Sequence, residues 1–133
     1  MSSAARVVEQ ALQAGASLEA GGSHRDLFFA PTVLADVTPE MDVYREELFG
    51  PAAIVYRVAD EQAAVALAND TSFGLGSYVF TTDPAQAERV ADAIEAGMVY
   101  VNVVLADSPE LPFGGVKRSG MVERVKAILM QPK

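Results

Sequence analysis

Between Ala52 and Val103 the spacing of apolar residues changes period again and again, and that alternation restricts the chain to one class of fold. Ala52–Val58 (Ala-Ala-Ile-Val-Tyr-Arg-Val) is an apolar run of the kind found in strands covered on both faces. Asp60 can cap a helix that carries Ala64, Leu67 and Ala68 and ends near Asn69. Gly76–Thr81 reads as the next strand. Asp83-Pro84 then supplies a cap and a first-turn proline for a second helix, with Gln86 at the capping-box position. Ala87, Val90, Ala91 and Ile94 form its buried stripe, Gly97 ends it, and Met98–Val103 follows as a central strand. Strand–helix–strand–helix–strand with short connections implies a parallel sheet with right-handed crossovers.

The flanking segments fit the same architecture. Ala4, Val7, Val8, Ala11 and Leu12 line one face of a helix from about Ser3 to Ala14, with Gly15 as its stop. A short strand over Ala16–Ala20 leads into the Gly21-Gly22 turn. Phe28–Val37 is extended, and Pro31 makes its start an edge or an irregular segment. A glycine- and proline-rich stretch from Ser108 to Gly120 precedes a last helix, Met121 to about Met130, whose apolar face is Val122, Val125, Ile128 and Leu129. The expectation is a single α/β domain over 1–133, a mostly parallel open sheet flanked by helices.

Composition excludes several functions. Ten basic against 18 acidic residues give a net charge of -8, and no basic stripe offsets it, so nucleic acid is not an expected partner. No apolar run approaches the roughly 18 residues of a membrane span. The N-terminus has no basic stretch feeding an apolar one, which points to a cytoplasmic protein. There is no cysteine, hence no thiol nucleophile, disulfide or thiolate metal site. The single histidine, His24, sits in a Gly-Gly-Ser-His-Arg-Asp loop and is expected to be solvated, leaving no metal site and no catalytic residue to name.

Three segments carry ordered glycines with polar flanks. Arg45-Glu46-Glu47-Leu48-Phe49-Gly50-Pro51 reads either as a rigid turn presenting Glu47 and Phe49 side by side or as solvated glutamates beside a core phenylalanine. A carboxylate there could accept hydrogen bonds from ribose hydroxyls, and an aromatic could pack on a nicotinamide ring. In Leu67–Gly76, Asn69 and Asp70 are expected to satisfy backbone groups in a turn, and Gly74 to allow close packing. Leu111–Gly120 suits a loop lining a pocket, of the kind found beside strand C-termini in open α/β sheets. It lacks the glycine spacing of a phosphate cradle.

In order and together these segments resemble the aldehyde dehydrogenase superfamily. The likeness is carried by Phe29-Ala30-Pro31-Thr32-Val33-Leu34, Glu46-Glu47-Leu48-Phe49-Gly50-Pro51, Ala66–Asp70 with Phe73-Gly74-Leu75, Val79-Phe80-Thr81, Glu95–Asn102 and Pro112–Gly120. It covers nearly all of residues 4–120 and implies the C-terminal part of that family's catalytic domain. The resemblance implies that Glu47 binds the nicotinamide-ribose hydroxyls, that Phe49 positions the nicotinamide ring, and that Phe113 lines the aldehyde pocket. Asn102 would give structural support in a neighbouring strand. The Glu110–Gly120 run is most similar to branches that oxidise semialdehydes, succinate semialdehyde among them.

The reaction so implied is NAD(P)-dependent oxidation of an aldehyde to a carboxylic acid. In it a cysteine thiolate attacks the aldehyde, hydride passes to NAD(P) and a thioester is hydrolysed. The nucleophile, the glutamate base, the oxyanion-hole asparagine and the cofactor-binding half have no counterparts in these 133 residues. The chain alone is therefore expected to be inactive and a poor binder of NAD or NADP. It is expected to be a truncated or recombined catalytic-domain fragment that self-associates as a dimer or larger homo-oligomer. Residues 121–133 depart from the family pattern and are expected to form a divergent helix that caps an apolar surface. The alternative function is a non-catalytic module that binds itself or a partner.

Overall fold

The computed structural model describes residues 3–26, 28–104, 113–120 and 127–130. They fall into two compact units, Met1–Arg57 and Val58–Lys133. Each unit has its own buried cluster.

In the first unit, helix α1 (Ser3–Gln13) lays Val7, Val8 and Ala11 against Leu34, Val37 and Val43. Leu34 is fully buried, and a side chain of that size contributes about 2 kcal/mol on leaving water. Strand β1 (Ser17–Ala20) pairs with β4 (Thr32–Ala35) antiparallel, and β4 pairs with β5 (Ala52–Ile54) parallel. Two short strands, β2 (His24–Arg25) and β3 (Phe28–Phe29), form a separate antiparallel ladder. His24 is exposed in it. The extended run expected from Phe28 is thus broken at Pro31, which cannot donate to a ladder.

Ala52–Val58 is not the doubly covered strand its apolar run suggested. Only Ala52–Ile54 is strand, it lies at the edge of its sheet, and Ala53, Val55 and Arg57 are exposed. The alternating exposure of residues 52–57 means that only one face of the segment is packed, and the other points outward whatever its polarity.

The second unit holds the parallel sheet. Helix α2 (Glu61–Asn69) is followed by β6 (Phe73–Gly74), β7 (Gly76–Val79), helix α3 (Pro84–Ala93), β8 (Met98–Val101), β9 (Val116–Lys117) and β10 (Ala127–Met130). The order β10-β8-β7 makes β8 central, with both pairings parallel, as the crossover pattern required. Every residue of β8 is buried. Val99 and Val101 face Ala87, Ala91 and Ile94, and Tyr100 stacks on Tyr78 at 5.2 Å between centroids. β6 and β9 form a small antiparallel pair.

Two local expectations need correction. Asp83 does cap α3, accepting from the Ala85 amide, but Gln86 does not close a capping box. Its side chain accepts from the Thr81 hydroxyl and donates to Glu61, while the Asp83 amide is taken by the Thr81 hydroxyl. The last helix also fails: residues 127–130 are a strand paired in register with Met98–Val101, and residues 121–126 lie outside the described residues. Ala-Ile-Leu-Met is a short continuous apolar run, which fits a covered strand as well as a helix face, and spacing alone cannot separate the two.

Candidate functional site

The Glu47–Phe49 turn is built from its anchor outward. A 3₁₀ turn at Asp42–Tyr44 buries Val43, and the amides of Arg45 and Glu46 bond back to the Asp42 carbonyl. Leu48 packs against the cluster of α1 and β4. With Leu48 turned inward, its two neighbours face out: Glu47 is exposed and Phe49 is 83% exposed. The Gly50 amide closes a tight turn onto the Leu48 carbonyl at 2.9 Å, and the Pro51 carbonyl accepts from Thr32 at 2.8 Å. The turn is therefore tied to β4 on one side and plugged into the core on the other. Of the two readings open for this segment, the core phenylalanine is excluded, and Glu47 and Phe49 are presented by one anchored turn.

Phe113 lies in the second unit and is 70% exposed. The loop behind it is fixed at close quarters. A Cβ on Gly97 would run into the Gly114 carbonyl, and one on Gly74 would lie 2.5 Å from the Glu95 carbonyl oxygen. Gly115 is buried, and the Gly74 amide donates to the Ser119 hydroxyl at 3.0 Å. Arg118 stacks over the Phe73 ring at 5.2 Å. Asn69, expected to serve its own turn, reaches another one: its amide donates to the Ala93 carbonyl and accepts from the Glu95 amide.

Asn102 does act as structural support, in a specific way. Its backbone amide bonds to the Val79 carbonyl, and its φ of 55° then turns the main chain away from the sheet. The side-chain amide takes over the ladder, accepting from the Thr81 amide at 2.9 Å and donating to the Thr81 carbonyl at 2.8 Å. From Thr81 a polar chain runs through Gln86 to Glu61, which is also paired with Arg89 at 2.9 Å. Donation from Arg89, then from Gln86, holds the Glu61 carboxyl below the ordinary glutamate range.

Lys117 was not foreseen as more than one of two cations in the loop. Its ammonium donates to the carbonyls of Asn69 at 2.7 Å and Thr71 at 3.1 Å and pairs with Glu95 at 2.8 Å. Among the described residues no three His, Asp or Glu side chains gather to hold a metal, and no helix is long and apolar enough to cross a membrane.

A mixed α/β fragment that displays a carboxylate and an aromatic from one anchored turn, and a second aromatic from a glycine-locked loop, belongs to the aldehyde dehydrogenase family, whose pattern it matches over residues 1–130. Among curated relatives, a succinate-semialdehyde dehydrogenase [NADP(+)] of Deinococcus radiodurans is 50% identical over 126 residues, covering 92% of this chain and 26% of that protein. The crystal structure of a succinic semialdehyde dehydrogenase from Streptococcus pyogenes in complex with NADP+ superposes with a TM-score of 0.83 at 39% identity, over 88% of this chain and 26% of that one. An aldehyde dehydrogenase from Physcomitrella patens in complex with the product succinate gives a TM-score of 0.82 at 35% identity, over 89% of this chain and 25% of that one. The chain thus spans about a quarter of the length of the relatives it matches.

Proposed function

We propose that Glu47 and Phe49 of the first unit, and Phe113 of the second, each serve the chemistry of an NAD(P)-dependent aldehyde dehydrogenase acting on a semialdehyde, succinate semialdehyde in the first instance. The observation that carries the reading is the 50% identity to a succinate-semialdehyde dehydrogenase across nine-tenths of the chain. Glu47 accepts hydrogen bonds from the nicotinamide-ribose hydroxyls, the Phe49 ring packs against the nicotinamide, and Phe113 bounds the aldehyde pocket. The exposed carboxylate and the exposed ring fit that group, because both stand clear of the core and both flank Leu48, which packs against it. When bound, the nicotinamide supplies the oxidant; these residues orient it and exclude water from one side.

By itself the 133-residue chain does not turn over, since the family chemistry needs a thiolate and the chain has no cysteine. Activity belongs to a site whose nucleophile and remaining cofactor contacts lie outside these 133 residues. We also infer that the chain is cytoplasmic and self-associates through its exposed apolar surface. The test is NAD(P)H formation from succinic semialdehyde by the purified chain, alone and with a full-length enzyme added. No formation by the chain alone is expected, and turnover by it would overturn the assignment of roles. In parallel, line broadening of nicotinamide mononucleotide by the chain should vanish in Phe49→Ala; broadening that persists there would remove Phe49 from the site.

A further inference from the structure

We propose that Lys117 is the positioning residue for the pocket wall that carries Phe113, an inference that rests on the placement of Phe113 in the site proposed above. The backbone gives the first indication. Lys117 has a φ of 55°, in the left-handed region that a lysine occupies at a cost and a glycine or asparagine occupies readily. A position chosen for its main chain alone would carry one of those two residues. A lysine is kept there for its side chain.

That side chain is fully engaged. An ammonium has three protons, and here each has an oxygen: the Asn69 carbonyl, the Thr71 carbonyl and the Glu95 carboxylate. The Asn69 carbonyl is at the C-terminal end of α2, where the helix dipole favours a cation. The lysine head therefore joins the end of α2, the turn leading into β6 and the turn leading into β8. Its own main chain belongs to β9, directly after the loop of Phe113, Gly114 and Gly115. Asn69 reinforces the same junction by bridging to Ala93 and Glu95.

The loop then has no room to shift. Gly114 lies against Gly97, Gly115 lies against Gly74 and Ser119, and both backbones are held by the turns that Lys117 draws together. The phenylalanine ring stands out in the open, directly before the closely packed Gly114 and Gly115. An aromatic wall so mounted meets a small aldehyde without first having to be ordered.

The test uses the whole ¹⁵N-labelled chain without nucleotide or aldehyde, so its failure is distinct from a failure of the binding experiments. In Lys117→Met the amide resonances of Gly114 and Gly115 should move and exchange on the order of tenfold faster, while those of α1 and β4 stay in place. Unchanged Gly114 and Gly115 resonances in folded Lys117→Met would overturn the proposal, because a lysine that only adds general stability lowers the melting temperature without altering native shifts. Wild-type protein gives a second readout that does not depend on a variant folding. The Lys117 ammonium should show a resolved, slowly exchanging correlation at low temperature, and a solvent-averaged one would equally overturn the assignment.

Discussion

At the scale of single residues, the most informative side chains are those that replace backbone. Asn102 continues the β7–β8 ladder with its amide at the point where its own main chain leaves the sheet. Asn102→Ala removes both bonds and leaves a β-carbon in the left-handed region, so it should lower unfolding free energy by about 2–3 kcal/mol in urea titrations. Asn102→Gly loses the same bonds but relaxes the backbone, and should recover roughly 1 kcal/mol of that loss. Equal losses in the two variants would show that the φ value carries no strain. The sequence disclosed Asn102 as a support only through the family motif. Nothing in Val-Tyr-Val-Asn-Val-Val distinguishes a strand-extending asparagine from one in an ordinary turn, because the partner, Thr81, is 21 positions away.

Between elements, the second unit depends on a polar tie that is readable only in three dimensions. Glu61 in the first turn of α2 meets Arg89 on α3 and, through Gln86, Thr81 just after β7. The Glu61 carboxyl is held below its ordinary range chiefly by the Arg89 donor. A depressed carboxyl stabilises the fold fully at pH values above the ordinary glutamate range. That stabilisation is lost as pH falls through the lowered value. Urea midpoints followed from neutral to acid pH should therefore drop less steeply in Arg89→Met than in wild type, and parallel curves would show that the pair is not coupled to folding. Caps and periods made α1, α2 and α3 legible in the sequence, as were β7 and β8, because each rests on local signals such as Asp60, Asp83-Pro84 and Gly97. The failures share a cause. The edge position of β5 and the strand at residues 127–130 are set by which neighbour pairs with them, and the capping-box geometry at Gln86 was lost to the more distant Glu61.

For the molecule as a whole, the candidate site was half legible. Glu47, Phe49 and Phe113 followed from a family motif, and their exposure is a property of packing that composition could not supply. Phe28, Phe49, Phe80 and Phe113 are all more than half exposed, an unusual display for an isolated chain of this size. Light scattering across a concentration series should accordingly give a mass above the monomer, lowered by Phe80→Ser. A monomer at all concentrations would remove the self-association inferred above. The net charge of -8 opposes that association, so added salt should favour it by screening.

The contact between Gly97 and the Gly114 carbonyl sets a limit on the gene as well as on the loop. Every single-base change in a glycine codon that alters the amino acid installs a β-carbon, and at Gly97 that carbon has nowhere to go. All such variants, whether to a small, acidic or basic residue, meet the same backbone obstacle. The codon for residue 97 is therefore expected to tolerate only synonymous change for as long as the loop that carries Phe113 is under selection.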